Sequence, residues 1–109
     1  MAEPTLTQVF GTGATQTATT LTLTKADFAS VGLVADAANR AEQLFVALLL
    51  KVATYLNETN QSTNNDIQIT ITPSFAQLVT RNNTQYRQQT YSVNLQRVDT
   101  AAAIDPDNY

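Results

Sequence analysis

Histidine and cysteine are both absent from this chain of 109 residues. With them go the imidazole base, the thiolate nucleophile, the disulfide framework and any Cys-based metal site. Tryptophan is missing as well, and the four Tyr and four Phe are spread at core-like spacings. A small-ligand or glycan-binding module is the alternative from another class, though it needs a cluster of exposed aromatic rings that this distribution does not suggest. Charged residues make up only 14%, where about 25% is usual, and Thr, Asn and Gln fill the gap. The six Lys and Arg fall short of the nine Asp and Glu, for a net charge of −3. A domain that binds phosphate backbones carries a clustered basic excess, so nucleic acid is not expected as a partner. No apolar run reaches the ~20 residues that a bilayer span needs, and Met1 to Thr7 lack the basic and apolar regions of a signal peptide. No membrane partner is expected, and synthesis in a cytoplasm is.

A chain this short supports one domain, burying roughly 60 to 70% of its unfolded surface. Its first part, Thr5 to Phe10, alternates weakly and is followed by Gly11-Thr12-Gly13-Ala14 and a Thr-rich stretch from Thr17 to Thr24. Thr favours a pleated surface and the glycines supply turn conformations, which predicts a hairpin. Thr24-Lys25-Ala26-Asp27 then opens a short helical turn that Gly32 stops.

The dominant element is a helix from about Asp36, as N-cap, to Leu56. On a helical period its polar residues, Arg40, Gln43, Lys51, Thr54 and Glu58, form one narrow stripe interrupted by Ala47. Nearly everything else from Leu44 to Leu56 is apolar, a face wider than the ~100° typical of a helix on a two-layer domain. Such a helix needs cover on more than one side. Either the segment around Phe28, Val31 and Leu33 folds over it, or another subunit does, and Leu50 is the residue expected under an intersubunit contact.

Asn57 to Asp66 is entirely polar and reads as an exposed loop. Ile67, Ile69 and Ile71 alternate with Gln68, Thr70 and Thr72 as a half-buried strand, which Pro73 ends or marks as an edge. Asn82-Asn83 suits a tight turn, and Tyr91, Val93 and Leu95 alternate along a last strand. From Asp99 the pattern disappears. The expected fold is therefore α+β: a small antiparallel sheet packed on one long central helix, with extended terminal arms. Within a single domain, residues 1–10 are read as an N-terminal arm or edge strand, 11–98 as the core and 99–109 as a C-terminal arm. Neither end has the apolar surface to fold unaided, so both are expected to be held by something outside the core.

The candidate chemistry is thin. Gly11-Thr12-Gly13 has neither a Lys and a hydroxyl residue in the places a phosphate-binding loop needs them nor its longer glycine fingerprint. Glu42 and Glu58 lie along the long helix and its exit, not across a cleft. Asp99, Asp105 and Asp107 have neither the spacing nor the glycine turn of a calcium loop. No catalytic, cofactor or metal residue is assigned, and no enzyme activity is expected. Arg81, Arg87 and Arg97 suit pairing with acidic groups of a protein partner, or serve as dispersed solubility charges. Asn57-Glu58-Thr59, Asn60-Gln61-Ser62 and Asn82-Asn83-Thr84 match the glycosylation pattern, but an Asn- and Thr-rich chain produces such matches by chance.

The opening Thr5-Leu6-Thr7-Gln8-Val9-Phe10-Gly11-Thr12-Gly13-Ala14, the turn Leu23-Thr24-Lys25-Ala26-Asp27-Phe28 and the closing Ile104-Asp105-Pro106-Asp107-Asn108-Tyr109 resemble small virion proteins of tailed bacteriophages, cyanophages in particular. The resemblance is one of style across most of the chain and rests on no defining motif. It implies a capsid, neck or tail component assembled in the host cytoplasm as a homo-oligomer, with the major capsid protein or other virion proteins as partners. Within that class a head decoration or cement protein is expected; a neck, baseplate or tail-fibre-attachment subunit is the nearest rival. The partner-binding residues expected are Thr5, Leu6, Val9 and Phe10 in one arm, Ile104 and Tyr109 in the other, and Leu50 on the helix, with Phe10 and Tyr109 as aromatic anchors.

Overall fold

A computed structural model describes residues 2–99 and 103–109. The fold is α+β, with helix α1 (Leu6–Phe10), strands β1 (Thr15–Gln16) and β2 (Leu21–Thr22), a 3-10 helix (Lys25–Val31), helices α2 (Ala41–Ala53) and α3 (Glu58–Gln61), strands β3 (Ile69–Arg81) and β4 (Thr84–Leu95), and a 3-10 turn (Pro106–Asn108). The strands form two separate two-stranded antiparallel sheets, β1 with β2 and β3 with β4.

The N-terminal segment departs from the expected strand. Thr5 is extended and caps a helix: its hydroxyl accepts from the Gln8 N–H at 3.2 Å, while the Gln8 side chain accepts from the Thr5 N–H at 2.9 Å. This reciprocal pair satisfies two donors that a helix start leaves orphaned, and it outweighs the weak alternation of Thr5 to Phe10. Residues 5–10 are therefore neither an arm nor an edge strand. The expected hairpin of Thr5–Phe10 with Thr17–Thr24 about the glycines therefore does not form; a different, two-residue one does, β1 with β2, turning through Thr17 and Thr20, whose hydroxyls lie 2.6 Å apart.

The central helix is shorter than its sequence suggests. Asp36 holds a separate turn, accepting from the Ala38 N–H at 2.8 Å while its own N–H donates to Asn39 Oδ1 at 2.9 Å. Asx residues compete in this way with helix propagation, so α2 begins at Ala41. At the other end Thr54 Oγ1 donates back to the Lys51 carbonyl, and the chain breaks before α3.

The polar stretch 57–66 is not a bare loop. Asn57 caps α3 by accepting from the Asn60 N–H at 2.8 Å, and its amide donates to the Ala53 and Thr54 carbonyls. Asn60 donates to the Tyr55 carbonyl, and Gln61 donates to the Ile67 carbonyl and to Gln96 Oε1, each at 2.9 Å. Side-chain amides here do what a ladder does elsewhere, tying the end of α2 to the base of β3 and β4.

Two apolar clusters share α2 as a wall. Val9, Leu56 and Ile67 form one, with Phe10, Val52 and Ile69 against them; Phe28, Leu33 and Ala47 form the other, with Leu23, Val31, Leu44 and Leu48. The segment around Phe28 thus covers one side of the helix, as one of the two expectations had it. Another side stays open, since Phe45 and Val46 are 63% and 52% exposed. The radius of gyration, 16.3 Å, exceeds the roughly 13 Å of a compact domain of about this length. The β3–β4 ribbon accounts for the difference.

Candidate functional site

Antiparallel strands of 13 and 12 residues make β3 and β4 unusually long for so small a domain. Two Asn residues close them: Asn82 and Asn83 take φ of 51° and 63°, the left-handed pair that a two-residue turn matched to strand twist requires. Pro73 does not end the strand. It pairs with Tyr91, and beyond it the register shifts so that Ser74 and Phe75 stand opposite Thr90 alone, a β-bulge. Gln89 Nε2 donates there to the Ser74 carbonyl at 3.3 Å and the Thr90 carbonyl at 3.0 Å. Proline is tolerated because β3 lies at a sheet edge.

The bulge divides the ribbon. Below it, Thr70 and Ile71 are buried, and the Ile71 N–H donates to the Leu56 carbonyl at 2.9 Å. Above it, every residue from Ser74 to Gln89 is exposed except half-buried Val79. This distal arm nevertheless carries Phe75 at 63% and Leu78 at 58% exposure, together with Tyr86. Leu78 faces Arg87 across the ladder, and Val79 faces Tyr86, over whose ring the Arg81 guanidinium lies 4.3 Å from the centroid. An isolated two-stranded ribbon is marginal in water, and apolar side chains along it add surface that favours a protein cover.

A second feature lies on the body. Between the end of the 3-10 helix and the first three turns of α2, an open groove of about 420 Å³ has a floor of Val31, Leu33, Ala47 and Leu50, with Arg40 and Glu42 on its rim. Gly32, at φ 100°, turns the chain away with nothing within 4 Å of where a Cβ would stand, which keeps that side unfilled. A second hollow, of about 450 Å³, is lined by polar groups including Glu3, Asp66 and Arg97. Gln61 and Gln96, also in its wall, are bonded to each other.

The residues expected to bind a partner do not come together. Val9 is buried in the core, with Phe10 packed against it, so both side chains serve the fold; Thr5 is exposed but caps α1, and Leu6 is half-buried. Ile104 is exposed and Tyr109 half-buried, in a C-terminal segment where the Asn108 carbonyl accepts from Gln68 Nε2 at 3.3 Å. Leu50 is half-buried at the groove. Glu42 lies in the first turn of α2 and Glu58 opens α3, so the two stand on separate helices with the whole of α2, roughly 20 Å long, between them along the chain. The carboxylate of Asp105 caps its own turn, accepting from the Asp107 N–H. Among the described residues, no three acidic side chains are grouped to hold a metal ion, and no helix is long and apolar enough to cross a membrane.

The exposure of the distal arm was not legible in the sequence. Alternation of apolar residues alone does not say whether a strand's faces are covered. No protein-family model, curated protein or solved structure matches the chain.

Proposed function

We propose that the chain is a non-enzymatic structural subunit of a virus particle, a decoration or cement protein of a tailed-phage head that works by binding neighbouring subunits. The particle is taken from the sequence resemblance. The contact-making role is supported by the distal arm, a ribbon that presents Phe75, Leu78 and Tyr86 to solvent beyond the reach of its own core. Each copy in a symmetric shell contributes modest contact area, and the contacts act together through multivalency. A ribbon whose two strands are already paired suits bridging because less conformational freedom is lost when it docks than for an unpaired strand.

The test is quantitative mass spectrometry of purified particles from the source of the sequence, counting this chain against the major shell protein. Abundance comparable to the shell protein is the expected result. A ring's worth of copies would move the chain to the neck, baseplate or tail, and absence from every particle would overturn the virion reading.

A further inference from the structure

The chain exposes 7891 Å² of surface, against about 5,900 Å² for a compact monomer of its mass. The surplus of roughly 2,000 Å² compares with the ~800 Å² that each partner contributes to a standard interface, enough for two half-interfaces on every copy.

Charge divides along the same line as shape. Residues 69–95 contain Arg81 and Arg87 and no acidic residue, a charge of +2, which leaves the remainder of the chain at −5 within a total of −3. Arm against arm sets like charges side by side, and so does body against body. By net charge arm against body is the favourable pairing, and at the groove Glu42 offers the arm's arginines a partner beside Arg40.

The two features do not meet within one chain. The base of the ribbon packs at Val52 and Leu56, toward the C-terminal end of α2, while the groove borders the helix between Arg40 and Leu50. The arm from Ser74 to Arg81 extends about 27 Å at the rise of an antiparallel strand, and apart from half-buried Val79 all of it is exposed.

Resting on the reading of the chain as an assembly subunit, we propose that the arm of one copy docks in the α2 groove of a second copy. Leu78 enters between Val46 and Leu50, and Arg87, its cross-strand neighbour, pairs with Glu42 on the rim. The two surfaces differ, so the contact is heterologous: each copy gives an arm and receives one, and the series closes into a ring or continues as a filament.

Because the chain has no cysteine, the contact can be trapped without background. Val46→Cys and Leu78→Cys replace exposed side chains, which leaves the fold intact. Mixing the two single variants under mild oxidation should give a 46–78 cross-linked dimer, and one chain carrying both should give a covalent ladder. Preferential 78–78 or 46–46 cross-links would overturn the proposal in favour of a symmetric contact. In sedimentation of the otherwise native chain, Glu42→Arg and Arg87→Glu should each weaken self-association about tenfold, and the double variant should recover most of it. Failure of the double variant to recover would remove the Arg87–Glu42 pairing. A chain that stays monomeric up to about 1 mM yet is abundant in particles would overturn the arm-in-groove contact while leaving the structural role standing. A 46–78 ladder from a chain absent from every particle would do the reverse.

Discussion

Asp27 holds Gly13 by its backbone: the carboxylate accepts the Gly13 N–H at 2.7 Å and, through its other oxygen, the Thr12 hydroxyl at 3.1 Å. A glycine-flanked loop that could be suspected of cradling an anion is thus already occupied by one from its own chain. The contact ties the turn after α1 to the first turn of the 3-10 helix, and Thr24 adds a bond from its hydroxyl to the Gly13 carbonyl at 3.3 Å. Asp27→Ala should destabilise the fold by about 1.5–3 kcal/mol, the range for hydrogen bonds to a charged group. Thermal unfolding followed by circular dichroism measures it; a melting temperature unchanged from the parent would show that the clamp is decorative.

Gly11 and Gly32 both have positive φ, 112° and 100°, but their surroundings differ. A Cβ on Gly11 would stand 2.5 Å from the Asp27 Cβ, whereas one on Gly32 would meet nothing within 4 Å. Gly11→Ala combines backbone strain with a collision and should lose about 3 kcal/mol or more, while Gly32→Ala should lose only about 1 kcal/mol from strain. Comparable losses in urea denaturation would contradict the geometry.

Replacing residues 77–88 by a two-residue Asn-Gly turn should leave the body folded. The excised residues are exposed apart from half-buried Val79, and both apolar clusters lie below the bulge. The expected change in stability is under about 1 kcal/mol, with self-association lost. A broad, uncooperative melt would show that the arm belongs to the folding unit.

Leu50→Lys places a charge at the groove, where the native side chain is half-buried. A long amine can reach water along its own stem, so the variant should fold and sediment as a monomer. By contrast Ile67→Ala, at a side chain 2% exposed, should lose about 2–4 kcal/mol. If Leu50→Lys unfolds as readily as Ile67→Ala, Leu50 belongs to the intrachain core.

Removing residues 103–109 should shift the melting temperature by no more than about 5 °C, because these residues are exposed apart from half-buried Tyr109 and the bond from Gln68 to the Asn108 carbonyl is an exposed one. Loss of the cooperative transition would place this segment in the fold.

The elements that proved legible in the sequence are those where one signal acts alone. Ile67 to Ile71 alternate with no competing cap, and Asn82-Asn83 has little role outside a turn. The N-terminus misled because Thr5 and Gln8 satisfy two descriptions, a β-favouring run and a capping box, and only the second closes hydrogen bonds. Asn57, Asn60 and Gln61 carried no apolar signal at all, yet their amides bond backbone carbonyls that water would otherwise have to serve. The excess apolar face of the helix was readable and survives as Phe45 and Val46; the groove beside it depends on where Gly32 turns the chain, which no periodicity encodes.

The two-strand build of the arm also fixes how it would respond to pulling. Tension between its Asn82-Asn83 tip and its base runs down both backbones side by side, while the ladder hydrogen bonds lie across the pull and are not links in series with it. Strands already sit near the limit of chain extension, about 3.4 Å of a possible ~3.6 Å per residue. Such a ribbon has almost no slack: held at both ends, it sets a fixed ceiling on how far apart two bodies can move.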